Sequence, residues 1–373
     1  MSRKYGKKVE IKINPLAYNI GLIGESGIGK STTIKEFCEK LVGDDGYIML
    51  DIGKEDGHKA INGIVSAEIP DWDTFSDFVD DVIENKTTDY KDLKVIGLDT
   101  YDQLVEIAEP EVVRMHNRAN PDKRVDSINA AFGGFGKGMD KVSEIILDKL
   151  WELKKVGVSF IMIGHVKNKE IDDAATGESY SILTTNMSQK YFNAIKTKLD
   201  FLGVAYVDRK IVKEKTGKKN IATKQDIVKR KVAEESRRIS FRDDNYSIDS
   251  KSRFADIVSN IPMNSDALIK AINDAIMAEH SKGEKTVEES KEDEVKENAE
   301  VAKRAAKYAE QKEKTKSEDK NSRLIGTIQS KFSEQDSDTK QKIKEVMVDN
   351  GFSSFREENI PTQALEQIVS LLK

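Results

Sequence analysis

The chain has 373 residues, of which 61 are Lys or Arg and 66 are Asp or Glu, for a formal net charge of −5. That length predicts two domains, or one large domain with an appendage. No run approaches the roughly 20 apolar residues of a membrane span, no secretory signal is expected, and the single cysteine, Cys38, excludes an internal disulfide and a cysteine-based zinc site. We therefore expect a soluble cytoplasmic protein that makes no membrane contact.

Residues 1–280 are predicted to form one α/β domain. Four short runs of large or β-branched apolar residues are typical of buried parallel strands, and they cover residues 17–23, 47–50, 95–98 and 158–163. Between the last two runs, residues 139–153 carry apolar side chains at helical spacing. This order of strand, helix and strand predicts a mostly parallel central sheet with helices on both faces.

Residues 24–31 match the phosphate-binding pattern G-x-x-x-x-G-K-[ST] and lie between a predicted strand and a predicted helix. Glycines allow the backbone amides to converge on phosphate oxygens, the Lys30 amine can reach the β- and γ-phosphates, and the Ser31 hydroxyl can ligate Mg²⁺. A chance glycine-rich turn is the alternative. The predicted ATP-binding residues are Gly24, Glu25, Ser26, Gly27, Ile28, Gly29, Lys30, Ser31 and Thr32.

A metal partner for this loop is predicted at Asp99, which ends the apolar run 95–98 in the manner of a Walker B strand. With Ser31 it would hold Mg²⁺, directly or through water. The alternative is an aspartate that only caps the end of a strand. Thr100 follows, so the catalytic glutamate is not expected directly after Asp99, where many P-loop ATPases place it.

Two segments are candidates for nucleic-acid contact. Residues 132–138 combine two phenylalanines with glycines and a lysine, which can stack bases and contact phosphates, or form a turn whose rings pack inward. Residues 209–242 carry 13 Lys or Arg against 4 Asp or Glu and are predicted to form a β-hairpin extension with a turn at Thr216 and Gly217. Phosphate backbones attract such a stripe through counterion release, whereas the alternative is a hairpin whose lysines serve solubility.

The composition changes after the α/β domain. Of the 42 residues 279–320, 24 are charged, and so polar a segment buries too little surface to offset its ordering entropy. Residues 281–320 are therefore predicted to be a linker, either disordered or a single helix. Apolar periodicity returns in residues 321–373, which we expect to form a small helical C-terminal domain.

Taken in order, five motifs make the chain similar to the phage-encoded RecA-like P-loop ATPases, a group related to the RecA-core single-strand annealing proteins of the Sak group. They are GESGIGKS (24–31), VIGLDT (95–100), FGGFGKGMDK (132–141), FIMIGH (160–165) and DSKSRF (249–254). The resemblance implies ATP with Mg²⁺ as cofactors, single-stranded DNA as a partner, and a single-strand-binding protein or other recombination factor that residues 321–373 would recruit. It also implies a homo-oligomer in the host cytoplasm.

The resemblance assigns roles at further positions. In RecA-like ATPases the catalytic glutamate follows the strand after the P-loop helix, which makes Glu55 the first candidate here and Asp51 the second; either can equally belong to a solvated acidic loop. His165, at the tip of the run 158–163, would contact the γ-phosphate, or alternatively satisfy a backbone carbonyl. Lys251 and Arg253 would reach a neighbouring subunit's nucleotide as an arginine finger does, or lie in a surface turn.

The leading hypothesis is an ATP-hydrolysing, single-stranded-DNA-binding protein of phage recombination or replication, acting as an annealing or recombinase-like factor. A helicase or helicase-loader motor is one alternative. A non-hydrolysing DNA-binding scaffold, in which ATP only orders an oligomer, is the other.

Overall fold

The structure is a computed structural model and describes residues 6, 8–55, 57–172, 177, 179–219, 226–242, 249–355, 357 and 360–372. The strands are β1 (Ile20–Gly24), β2 (Tyr47–Ile52), β3 (Ser66–Ile69), β4 (Val95–Asp99), β5 (Ser159–Asp172), β6 (Ser179–Thr185), β7 (Phe201–Lys219), β8 (Asp226–Ser240), β9 (Lys251–Ser252) and β10 (Asn260–Pro262). The helices are α1 (Lys30–Val42), α2 (Trp72–Glu84), α3 (Tyr101–Ala119), α4 (Lys137–Lys155), α5 (Gln189–Lys196), α6 (Ser265–His280), α7 (Val287–Phe332), α8 (Ser337–Asp349) and α9 (Thr362–Leu371). Of these helices, none combines the length and apolarity needed to cross a membrane.

The central sheet has the strand order β10-β8-β7-β1-β5-β4-β2-β3. The pairs from β7 through β1, β5, β4 and β2 to β3 are all parallel, so their carboxyl ends meet at one edge. In register, Gly24 lies opposite His165, and Asp51 lies opposite Asp99. One strand, β5, therefore stands between the strand that precedes the phosphate loop and the strand that ends in Asp99.

Helices cover both faces of this sheet, as predicted, which is why its strands read as continuous apolar runs. On one face, α1 and α6 bury Ile34, Phe37 and Ile272 against β1. On the other face, α2, α3 and α4 bury side chains such as Phe75 and Ile146 against β4. The fold is a mostly parallel α/β P-loop NTPase architecture.

The basic segment forms an antiparallel hairpin of β7 and β8, paired from Val204 and Ser240 outward to Lys219 and Asp226. The turn predicted at Thr216 and Gly217 is wrong, because β7 continues to Lys219. The register is irregular between Lys215 and Lys219, and a bulge of this kind accommodates a glycine inside a strand. Residues 220–225, between the two strands, lie outside the described residues.

From Val287 onward, the segment predicted as a linker, 281–320, belongs to the 46-residue helix α7, which also runs across the predicted border at 321. A capping box between Thr286 and Glu289 begins it. A single helix was one of the two forms predicted for this segment, and one side of the helix lies on the α/β domain. Ala305 is 1% exposed within the core of α2 and α4, and Lys312 contacts Asp80 and Glu152.

The C-terminal region is helical and has a core of its own. Its buried side chains come from the end of α7, from α8 and α9, and from the connection between those two; they include Ile328, Ile343, Leu365 and Ile368. Asp336 caps the start of α8 by accepting a hydrogen bond from the Thr339 amide. These three helices therefore pack on one another.

Candidate nucleotide-binding site

The phosphate loop leaves β1 at Gly24 and enters α1 at Lys30. Gly27 and Gly29 have φ angles of 74° and 107°, a left-handed region that glycine adopts without the steric cost other residues incur. Ile28, 4% exposed, anchors the loop in the core between them. Residues 24–32 thus form a tight backbone turn at the N-terminus of a 13-residue helix, the geometry that binds phosphate through amides and the helix dipole.

The Lys30 side chain curls back over this loop and is 5% exposed. Its amine donates hydrogen bonds to the carbonyl oxygens of Gly24 at 3.0 Å and Glu25 at 2.9 Å. Burial lowers the pKa of Lys30, and the nearby carboxylates of Asp99 and Asp102 partly oppose that shift. The amine is therefore held at the loop by neutral acceptors, which it can exchange for the stronger charged acceptors of a phosphate chain.

Asp99, 5% exposed at the tip of β4, has a partner that the sequence did not reveal. Its Oδ2 lies 2.9 Å from Nε2 of His58, a buried residue in the short helical turn after β2. Nδ1 of His58 lies 3.9 Å from Oδ2 of Asp51. Burial alone would lower the pKa of His58, but the hydrogen bond and charge of Asp99, with that of Asp51, outweigh it, so the net pKa is raised.

The donor set at this edge fits Mg²⁺, which prefers oxygen ligands and takes few of them from the protein when phosphates are present. The Asp99 carboxylate lies close enough to Lys30 to raise the pKa of its amine. Ser31 offers a hydroxyl in the first turn of α1, directly after Lys30. Assignment of these two residues to a metal stays a prediction.

His165 lies in β5 opposite Gly24 and is paired with Asp102 of α3, a second residue that sequence reasoning missed. Nδ1 of His165 is 2.6 Å from Oδ2 of Asp102, and the His165 amide donates to Oδ1 of the same carboxylate at 3.2 Å. This hydrogen bond is the main cause of the raised pKa of His165. The pairing holds Nδ1 against α3, so Nε2 is the ring nitrogen left for another contact.

Glu55, half-buried after β2, is close enough to this cluster to interact electrostatically with His165, Asp99 and Lys30. Burial raises its pKa; His165 acts in the opposite direction, and the carboxylates Asp99 and Asp102 raise it further. Asp51, the second candidate, lies deeper at 8% exposed, beside His58 and Asp99. Of the two, Glu55 is the more exposed, and its role as the base stays a prediction.

Lys251 and Arg253 are not brought to this site. Lys251 pairs with Leu202 at the start of β7, whereas the phosphate loop is level with Ala205. Three residues of strand separate these levels by roughly 10 Å. The Lys251 amine donates to the Lys196 carbonyl at 2.7 Å, and Arg253 donates to the carbonyl of Thr197 and lies 3.2 Å from Asp200. Their action on a neighbouring subunit stays a prediction.

The two residues that sequence reasoning missed have a common reason. His58 and Asp99 are 41 positions apart, and Asp102 and His165 are 63 positions apart. Parallel strands that are distant in sequence place such tips side by side, so only the strand order joins them. A signal existed in part: each residue lies within eight positions of the end of an expected strand.

Comparison with known proteins places these features in a family. A solved structure of a prototypical ATPase from the type III secretion system of pathogenic bacteria is 14% identical, with a TM-score of 0.28, and the match covers 50% of this chain and 50% of that chain. A likeness at this level carries no conclusion for this chain. No curated protein matches it. The model of the AAA domain family matches residues 16–254, the part that contains the phosphate loop, Asp99 and His165, and the chain therefore belongs to this family of P-loop ATPases.

Proposed function

We propose that the protein binds ATP with Mg²⁺, hydrolyses it, and uses the cycle to hold and release single-stranded DNA in phage recombination or replication. The observation that carries the proposal is the convergence of Lys30, Asp99, Glu55 and His165 at the carboxyl edge of the parallel sheet. Family membership supports the nucleotide part. The DNA part rests on the resemblance of the motifs and on two surfaces described below.

In the proposed reaction, Glu55 takes a proton from the water that attacks the γ-phosphate. A general base works best when its pKa approaches the operating pH, and the raised pKa of Glu55 moves it in that direction. Lys30 neutralises charge that builds on the phosphate oxygens, and the loop amides fix their position. Ser31 and Asp99 would hold Mg²⁺, which would supply further neutralisation of the phosphate charge.

His165 is proposed to sense the γ-phosphate through Nε2. Because Nδ1 is bonded to Asp102, a change at the phosphate reaches the first turn of α3 and the strand β5 together. β5 continues past His165 into an antiparallel pair with β6. This connection supports a switch in which hydrolysis alters a surface beyond the nucleotide.

Two surfaces support the DNA proposal. In the glycine loop, Phe135 has a fully exposed side chain (101%) and a positive φ of 51°, so its ring is available to stack on a base. Phe132, in contrast, packs edge-on against His116, with ring centroids 5.2 Å apart. The inward-packed alternative therefore describes Phe132, whereas the Phe135 ring stays exposed. The basic hairpin of β7 and β8 supplies the charge for backbone contacts.

Assembly and partners complete the proposal. We propose a homo-oligomer in which Lys251 and Arg253 act on the neighbouring subunit's nucleotide, because the Arg253 side chain is 54% exposed and Lys251 lies three residues of strand away from the level of its own phosphate loop. The C-terminal helices would recruit a single-strand-binding protein or another recombination factor. The helix α7 would set the distance between that partner and the ATPase domain.

The test is the rate of ATP hydrolysis with and without single-stranded DNA, for the wild type, Lys30→Ala and Lys35→Ala. Lys35, also in α1, pairs with Glu39 and serves as the matched control. We expect DNA to stimulate the wild type, Lys30→Ala to reduce hydrolysis by about 10²-fold or more, and Lys35→Ala to leave it unchanged. No hydrolysis by the wild type under either condition would favour the scaffold alternative, and unwinding of forked DNA would favour the helicase alternative.

A further inference from the structure

The base of the β7–β8 hairpin brings an arginine over the phosphate loop. Ala205 lies opposite Gly24 in β1 and opposite Ile239 in β8, and Ile239 belongs to the same buried core as Ile28 of the loop. Side chains two positions apart in a strand share a face. Arg237 is therefore on the same face as Ile239. It lies two residues of strand beyond the level of Gly24, the last residue of β1.

The Arg237 guanidinium lies beside the phosphate loop at Gly29. A Cβ atom at Gly29 would lie 3.4 Å from Nη1 of Arg237. The backbone beneath it is fixed on both sides, by pairing with Val207 and by the Met263 amide, which donates to the Arg237 carbonyl at 2.9 Å. The position of this charge thus follows from the sheet and not from a free loop.

Neighbouring arginine side chains of the hairpin form hydrogen bonds within the protein, whereas the Arg237 side chain forms none with the residues that the structure describes. Arg209 donates to Glu235 at 3.0 Å, and Arg238 donates to Asn260. Within the described part of the chain, the exposed Arg237 side chain has neither a hydrogen bond nor an ion pair. Its five donors are therefore available to a ligand at the loop.

We propose that Arg237 binds the phosphate chain of the nucleotide from the same subunit, as a second cation beside Lys30. A planar guanidinium offers parallel donors that match phosphate oxygens, and such contacts are stronger than neutral hydrogen bonds. Because Arg237 belongs to β8, the bound nucleotide also ties the basic hairpin to the phosphate loop. The inference rests on the proposed function, since it assumes that the loop holds a nucleotide.

The test compares the affinities of ATP and of inorganic tripolyphosphate for the full chain by calorimetry. The variants are Arg237→Ala, Arg237→Lys, and Arg114→Ala as the matched control, with Lys30→Ala in parallel. Arg114 lies in α3, where it pairs with Asp73 at 2.9 Å. We expect Arg237→Ala to weaken both ligands about ten-fold and Arg237→Lys to recover part of the loss. Arg114→Ala should change neither affinity. Unfolding temperatures without ligand verify that each variant is folded.

The possible outcomes distinguish failure of the Arg237 inference from failure of the proposed function. Unchanged affinity of Arg237→Ala for ATP overturns the inference, provided that Lys30→Ala loses affinity in the same assay. Weaker ATP binding with unchanged tripolyphosphate binding also overturns it, because the contact would then be to the nucleoside. If neither Lys30→Ala nor Arg237→Ala weakens ATP binding, the proposed function itself fails.

Discussion

The carboxyl edge of the sheet and the helix α7 are both rich in charge, but they use it differently. At the edge, Lys30, Asp99 and His58 are each 5% exposed, and the contact between His58 and Asp99 joins positions 41 residues apart in sequence. Along α7, a typical pair such as Lys314 and Glu310 is one helical turn apart, with both side chains about two-thirds exposed. Water screens the second kind of pair and is largely excluded from the first.

The comparison shows that burial and sequence separation, and not the number of charges, distinguish a site from a solvated surface. Lys312 is the instructive exception on α7. Its side chain is 16% exposed and contacts both Asp80 of α2 and Glu152 of α4, so it behaves as the edge residues do. Lys149 also pairs with Asp80, at 2.8 Å. Helix α7 is therefore attached through a small buried network.

The largest expected effect is the loss of ATP hydrolysis when Glu55, half-buried at the carboxyl edge of the sheet, is replaced. Glu55→Gln should reduce ATP hydrolysis by about 10²- to 10⁴-fold and leave ATP affinity unchanged, because it removes a proton acceptor and no phosphate contact. Single-turnover hydrolysis and equilibrium binding measure the two quantities. Glu106→Gln, an exposed carboxylate of α3 that bonds Gln103, is the control and should change neither. A loss with Asp51→Asn but not with Glu55→Gln would assign the base to Asp51.

An effect of intermediate size should separate two lysines of the same helix. Lys312→Ala removes a positive charge that balances the partly buried carboxylates of Asp80 and Glu152. We therefore expect the free energy of unfolding to fall by about 1–3 kcal/mol. Lys314→Ala removes only an exposed pair and should cost less than about 0.5 kcal/mol. Urea unfolding of the full chain measures both. Equal costs would mean that α7 gains nothing from its contact with the α/β domain.

Local sequence patterns predict some of the site residues and not others. The phosphate loop is predicted because eight adjacent residues carry its whole geometry, and Asp99 is predicted because an apolar strand leads into it. His58, Asp102 and Arg237 are not predicted, because strand pairing brings each of them to the site and no local pattern encodes that pairing. On α7, the contact face is marked only by small or mixed residues such as Ala305 and Tyr308, too weakly apolar to indicate packing.

The smallest expected effect tests whether the pairing of His165 and Asp102 contributes to stability as a charged pair. The raised pKa of His165, mainly due to Asp102, means that the folded state binds the proton more tightly than the unfolded state, where the value is near 6.5. The contribution is therefore complete below about pH 6.5 and is lost as the pH rises through the folded pKa. The difference in unfolding free energy between the wild type and His165→Gln should accordingly shrink from pH 6 towards pH 9. Asp102→Asn should remove the same pH-dependent part, and a difference that grows with pH would show that the edge holds His165 neutral.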